Sequence, residues 1–133
     1  MTVGFSAVNT ANPWLNCLRG TSAATFTGVT TMFVQLHTGD PGASGTANVS
    51  STTTRQALNF GAAAAGAQAL SGTPSWASWA GTNGEVVTHI STWGASSAGT
   101  FYYSVALTAS KTVNTGDTLN LTTLGVSIVP IAA

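Results

Sequence analysis

The sequence predicts an all-β protein: an antiparallel, jelly-roll-like β-sandwich with one short helix near its N-terminus. Short runs rich in β-branched and aromatic residues alternate with turns rich in Gly, Pro and Asn along most of the chain. Helical segments do not recur between these runs, which argues against a parallel α/β fold. The 133 residues fit a single domain, with an N-terminal arm and helix in 1–30 and the sandwich in 31–133.

The helix is predicted in the stretch NTANPWLNCLRG. Asn12 is a candidate N-cap, Pro13 suits the first helical position, and Gly20 suits the left-handed residue that ends a helix. The apolar side chains of the segment are Trp14, Leu15, Cys17 and Leu18. They cover much of the circumference, so we expect the helix to pack against the sheet and the lone cysteine to be buried as a small hydrophobic residue.

Three segments are predicted to form the main strands. TMFVQLH is bulky and partly β-branched, and it ends in the turn residues TGDPGASG. EVVTHISTW alternates, which puts Val86 and Ile90 on one face and Val87 on the other. GTFYYSVALT alternates most regularly and is typical of a half-buried strand.

The remaining strands are shorter. Two further strands are predicted at Arg55 to Phe60 and at Ala67 to Leu70, although GAAAAGAQAL also has helical propensity. A turn at Asn114 to Asp117 precedes the last two predicted strands. These contain Leu119 and Leu121 in the first, and Val126 and Ile128 in the second, with Pro130 marking an edge or an end.

The scarcity of charge limits the classes of partner. Asp, Glu, Lys and Arg make up 5% of the residues, against about a quarter in ordinary soluble proteins, and the net charge is zero. Zero net charge favours association at neutral pH. Arg19, Arg55 and Lys111 are the only permanent cations, so nucleic acid is not an expected partner. No apolar run is long enough to cross a bilayer or to resemble a signal peptide, so no membrane association is expected.

The histidines and the acidic residues are better explained as parts of strand ends and turns than as a catalytic or metal site. The candidate ligands are His37, His89, Asp40, Asp117, Glu85 and Cys17, and they show none of the spacings of known metal motifs. Asp40, Pro41 and Gly42 suit a tight turn, as do Gly116 and Asp117. The three acids lie in or beside Gly-rich turns, and no GxSxG motif is present. We therefore expect no enzyme activity, no cofactor and no metal.

The aromatic residues leave two alternatives open. The four tryptophans and two tyrosines, with Trp76 and Trp79 among them, could form a platform that stacks on a sugar, or most of them could fill the core or an interface, where aromatic residues dominate. Trp14, Trp76, Trp79 and Arg55 are the candidate partner contacts. Arg55 could also pair with an acidic residue across an interface, a contact that contributes little at a surface.

Four stretches together resemble a family of small virion proteins of tailed bacteriophages, especially those that infect actinobacteria. They are NPWLNCLRGT, FVQLHTGDPGASGTAN, TRQALNFGAA and HISTWGASSAGTFYYSVALTASKTVNTGDTLNL. Proteins of this kind are described as capsid decoration, minor tail or tail-fibre proteins. The resemblance spans almost the whole chain and implies a β-sandwich that binds the virion surface, and no catalytic residues are carried over with it.

Two structural hypotheses and one enzymatic hypothesis follow. The leading one is a capsid decoration protein, made in the host bacterial cytoplasm, that binds the major capsid protein lattice on the capsid exterior and stabilises the head. It would act as a homo-oligomer, with a trimer as one candidate state, through many small uncharged contacts. The alternative is a minor tail or tail-fibre protein that binds other tail proteins and contributes to host-surface attachment. The third is a small hydrolase of cell-wall polysaccharide.

Overall fold

The computed structural model describes residues 3–18 and 28–128. A π-helical turn, Ala7–Ala11, continues into the α-helix α1, Asn12–Cys17. The strands are β1 (Gly4–Phe5), β2 (Met32–His37), β3 (Gln56–Leu58), β4 (Ala67–Ala69), β5 (Ser75–Trp76), β6 (Glu85–Trp93), β7 (Phe101–Val113), β8 (Leu119–Asn120) and β9 (Gly125–Ser127). No helix within these described ranges is both long enough and apolar enough to span a membrane.

The strands form one large sheet and two small ribbons. The large sheet has the order β1-β7-β6-β2-β3, while β4 pairs with β9 and β5 pairs with β8. Every one of these pairings is antiparallel, so the predicted antiparallel all-β class with one short helix is confirmed. The jelly-roll arrangement stays a prediction, because a jelly roll consists of two larger sheets with two Greek keys.

The centre of the large sheet departs from the predicted alternation at a β-bulge. Strand β6 has the predicted bounds, but β7 continues through Val113. Val87 pairs with Lys111, whereas His89 pairs with Ala106, so β7 has extra residues between these two pairs. On β6, Val87 and Ile90 both belong to the hydrophobic core. The prediction that these two residues lie on opposite faces is therefore wrong.

The hydrophobic core lies between the large sheet and the ribbon formed by β5 and β8. Its fully buried members are Val34, Leu36, Leu58, Trp76, Trp79, Val87, Ile90 and Val113. Half-buried leucines at the start of β8 and in the segment that follows it pack against this cluster. The two tryptophans, Trp76 in β5 and Trp79 in the segment that follows it, contribute the largest apolar surfaces of this cluster.

The helical arm begins and packs differently from the prediction. Ser6, rather than Asn12, caps the helical segment: its side-chain oxygen accepts a hydrogen bond from Asn9 N at 3.3 Å. The predicted burial is also wrong, because α1 has no buried residue and Cys17 is exposed. The prediction for Gly20 as the C-terminal residue, like those for Arg19 and Pro130, falls outside the described residues.

Candidate binding surfaces

His37 lies at the end of β2 in a fully buried hydrogen-bond network. Its Nδ1 is 2.8 Å from the carbonyl oxygen of Ala47, and its Nε2 is 2.7 Å from Ser91 Oγ. A carbonyl oxygen only accepts, so Nδ1 carries the proton and Nε2 accepts from the Ser91 hydroxyl. Trp93 Nε1 donates to the same hydroxyl at 2.7 Å. Each polar atom is satisfied, and the ring is held neutral.

The electrostatics of His37 agree with a structural role. Burial, as the largest cause, lowers the pKa of His37, and the nearby His89 and Arg55 lower it further, while hydrogen bonds to backbone carbonyl oxygens oppose the shift. A neutral imidazole is favoured at neutral pH. Because both ring nitrogens are occupied and the ring is inaccessible, His37 is not positioned to act on a substrate.

The turn after β2 folds the following loop over this network. Asp40 Oδ1 accepts from Gly42 N at 2.9 Å, and Gly42 has a φ of 73°. Further along, Asn48 Nδ2 donates to the Asp40 carbonyl oxygen at 2.8 Å. The loop returns to β2 where Ser50 N donates to Leu36 O at 3.0 Å. These contacts place the carbonyl of Ala47 over the imidazole of His37.

The other two acidic residues are also engaged by the backbone. Glu85, at the start of β6, accepts hydrogen bonds from Ser50 Oγ and from Ser51 N. Burial acts to raise the pKa of Glu85, but these hydrogen bonds lower it by more. Asp117 Oδ2 accepts from Asn114 N at 2.9 Å, next to Gly116, which has a φ of 89°. Both carboxylates therefore hold turns together.

Arg55 fastens the loop between β6 and β7 to the large sheet. Its guanidinium donates to Gln35 Oε1 at 3.0 Å and to the carbonyl oxygens of Ala95 and Ala98 at 3.0 and 2.6 Å. It also lies 3.9 Å from the ring centroid of Trp93. Most of the guanidinium is therefore used within the chain, and the pairing with an acidic residue across an interface stays a prediction.

Of the three tryptophans proposed as partner contacts, two are enclosed. Trp76 and Trp79 are 3% and 1% exposed, and their ring nitrogens donate to the carbonyl oxygens of Thr54 and Thr82. Of the two alternatives, the core is the one the structure shows, because a ring this buried has no face left for a sugar. Trp14 is half-buried against Phe5, with ring centroids 5.8 Å apart.

An apolar groove of about 470 Å³ opens beside the bulge of β7. Its floor reaches core residues Leu36, Trp76 and Ile90, and Lys111 lies on its lining. The walls include Leu107, Leu119, Leu121 and Leu124. This groove could not be predicted from the sequence, because its lining combines residues of β2, β5, β6 and β7 with the segment around β8. Among the described residues that line the groove, Lys111 is the only ionisable one.

The helical arm presents an apolar face to solvent. Val8, Leu15 and Leu18 are 74%, 63% and 83% exposed. The side of the arm that faces β7 is polar: Thr10 Oγ1 donates to Tyr102 O at 2.8 Å, and Asn9 Nδ2 donates to Phe101 O at 3.0 Å. Sequence reasoning missed Val8 because it began the helix at Asn12.

Within residues 3–18 and 28–128, no three residues of the types that bind metals come together. A family model described as "Podophage GP4 fiber I protein gp80" matches residues 4–128 of the chain. No curated protein matches the chain. The matched range includes the helical arm and all of the strands named above.

Proposed function

Because the chain belongs to the podophage GP4 fiber I protein gp80 family, we propose that it is a structural component of a bacteriophage tail fibre. Membership of this family confirms the resemblance to phage virion proteins and makes the chain a virion structural protein. The family description favours the tail-fibre alternative over the capsid decoration hypothesis. The match over residues 4–128 is the observation that carries the proposal.

We propose a binding role without catalysis. The ionisable groups that could do chemistry are used for structure: His37 in its buried network, and Glu85 and Asp117 in turns. Charge-poor surfaces and an exposed apolar arm suit assembly with other tail proteins. In this role the fold acts as a rigid module, and the contacts that it makes would connect the fibre to the tail or to the host surface.

Electron microscopy of intact virions labelled with an antibody against this protein tests the location. Label at the tail supports the proposal, whereas label distributed over the head would overturn it in favour of decoration of the major capsid protein lattice. Virions labelled with an antibody against the major capsid protein provide the matched control for head labelling. A reconstruction of the labelled region then gives the copy number.

A separate measurement tests a contribution to attachment. If the protein contacts the host surface, purified protein added in excess should slow adsorption of phage to host cells. A heat-unfolded sample of the same protein is the control for non-specific effects. Unchanged adsorption at saturating protein would restrict the role to assembly within the fibre.

A further inference from the structure

The apolar groove beside β7 has the size and composition of a site for a small molecule. Its volume of about 470 Å³ lies within the range of about 300 to 1,000 Å³ that is usual for ligand sites. Such sites are lined mainly by apolar side chains, with a few polar groups that orient the ligand. Here leucines form the apolar walls, and Thr108, Lys111 and Asn120 are among the polar residues of the lining.

The shape of the groove favours a thin chain over a folded partner. Leu36, Trp76 and Ile90 line it, yet they are only 2%, 3% and 1% exposed. They therefore lie at the bottom of a narrow crevice. The lining follows β7 from Val105 to Lys111, a distance of at most about 20 Å along an extended strand. A single hydrocarbon chain can enter a crevice of this width and length, whereas a folded protein surface would touch only its rim.

The charge at the groove is positive and is not opposed by an acidic residue of the described lining. Lys111 is the only ionisable residue among the described residues that line the groove, and it is exposed. Asp40, Glu85 and Asp117, the three acidic residues of the chain, each accept a hydrogen bond from a backbone N–H group, and none of them lines the groove. An anionic group here would be attracted by the ammonium group of Lys111, and a cationic group would be repelled.

We propose that this groove binds a free, single-chain anionic amphiphile of the chemical class of a fatty acid, with its hydrocarbon chain on the apolar floor and its carboxylate near Lys111. Burial of the chain provides most of the affinity. An exposed ion pair adds little energy, so Lys111 selects the sign of the head group. This inference goes beyond the proposed function and does not depend on it, because it holds for a fibre component and for a decoration protein alike.

Titration of the purified chain with decanoate, below the concentration at which it forms micelles, tests the proposal. Trp76 lies on the floor of the groove, so binding should change the tryptophan emission, and calorimetry should give one decanoate per chain. Each further CH₂ group in the fatty acid should tighten binding about threefold, as expected for apolar burial. Decyltrimethylammonium, which has the same chain length and a cationic head group, should bind about tenfold more weakly than decanoate.

Two variants separate the contribution of the head group from that of the chain. Lys111→Glu should weaken decanoate binding about tenfold and strengthen decyltrimethylammonium binding, while binding of neutral 1-decanol changes by less than about twofold. Leu107→Asn, in the wall of the groove, should weaken all three ligands about tenfold, because it places a polar amide beside the hydrocarbon chain. Val86→Asn, at an exposed apolar residue of β6, is the matched control and should bind like the wild type. Urea unfolding establishes that each variant is folded, and Lys111→Glu, at an exposed position, keeps the test valid if Leu107→Asn does not fold.

The same proteins distinguish the amphiphile from other occupants of the groove. The absence of saturable decanoate binding, decyltrimethylammonium binding as tight as that of decanoate, or decanoate binding that is unchanged in both groove variants would each overturn the proposal. Sedimentation without amphiphile adds one further outcome: a wild-type oligomer that Leu107→Asn dissociates would assign the groove to a second copy of the chain. Binding to phosphatidylglycerol vesicles without binding of free decanoate would assign it to a membrane lipid. Either result would replace the proposed ligand.

Discussion

At the scale of single residues, the hydroxyl of Ser91 links the buried rings of His37 and Trp93 in the large sheet. The hydroxyl donates to His37 Nε2 and accepts from Trp93 Nε1, both at 2.7 Å. Removing it leaves a buried acceptor on His37 and a buried donor on Trp93 without the hydroxyl that joins them. An unsatisfied buried polar group costs more than the hydrogen bond contributes, since its desolvation is no longer compensated.

We predict that Ser91→Ala lowers the free energy of unfolding by about 2 to 4 kcal/mol, as two buried groups lose their partner. Urea unfolding followed by tryptophan fluorescence measures the change. Ser110→Ala, at an exposed position of β7, is the matched control and should change stability by less than about 0.5 kcal/mol. If both variants unfold at the same urea concentration, the network does not contribute as described.

The neutral state of His37 predicts a dependence of stability on pH. Burial lowers the pKa of His37 in the folded protein below the ordinary value of about 6.5 that the unfolded chain has. Between these two pKa values the unfolded state binds more protons, so stability rises with pH. As pH falls through about 6.5, stability should therefore fall, and the loss should level off below the folded-state pKa.

Urea unfolding at a series of values between about pH 5 and pH 8 measures this dependence. In His37→Gln the part due to the imidazole should disappear, whereas His89→Gln should retain it. The comparison separates the two histidines, which pair across β2 and β6. A pH profile of His37→Gln identical to that of the wild type would contradict the assignment.

At the scale of elements, the loop after β2 needs glycine at two positions for different reasons. Gly42 and Gly45 have φ values of 73° and 74°, a region that favours glycine. A Cβ at Gly42 would lie 3.7 Å from Ala47 Cβ, an ordinary contact, while one at Gly45 would lie 2.7 Å from Phe101 Cε2. The loop is thus packed against the ring of Phe101 at the start of β7.

We predict that Gly42→Ala costs about 1 kcal/mol of stability, from backbone strain alone. Gly45→Ala should cost about 1 to 3 kcal/mol more, because the ring of Phe101 must also move. Thermal unfolding of the two variants measures the difference, and each serves as the other's control for positive φ. Equal losses would mean that the loop does not rest on Phe101.

The elements differ in how far the sequence could predict them. Strand β6 has the predicted bounds because its alternation and flanking turns are local properties. The common burial of Val87 and Ile90 could not be predicted from alternation, which assumes a regular pairing that β6 and β7 do not keep at this point. The turn chemistry at Asp40 is local and could be recognised, whereas the ring of His37 is oriented by Ala47 and Ser91, the second of which is distant in sequence.

The helical arm is a second example of a feature that a local sequence pattern does not predict. Apolar residues in a helix indicate a buried face, but they do not say whether the cover comes from the same domain. Leu15 and Leu18 were expected to pack on the sheet and are exposed, because polar groups on the opposite side bind β7 instead. Trp76 and Trp79 show that an aromatic pair in a loop-rich segment can still be core.

At the scale of the whole molecule, the scarcity of available charge determines how the protein can bind. Three basic and three acidic residues are present in 133. In the described part of the chain, Arg55 is bound to the loop after β6, and Glu85 and Asp117 accept backbone hydrogen bonds. In the proposed role, contacts with other virion proteins would therefore come mainly from apolar burial and uncharged hydrogen bonds.

We predict that the protein stays on the virion when particles are washed in about 1 M NaCl, where the Debye length falls to about 3 Å. Salt at this concentration screens exposed ion pairs but does not weaken apolar burial. Immunoblots of pelleted virions, compared between low and high salt, measure retention, and the major capsid protein provides the loading control. Release at high salt from otherwise intact particles would mean that the few charges dominate the interface, and the charged residue to substitute first would then be Lys111, which is exposed beside the apolar groove.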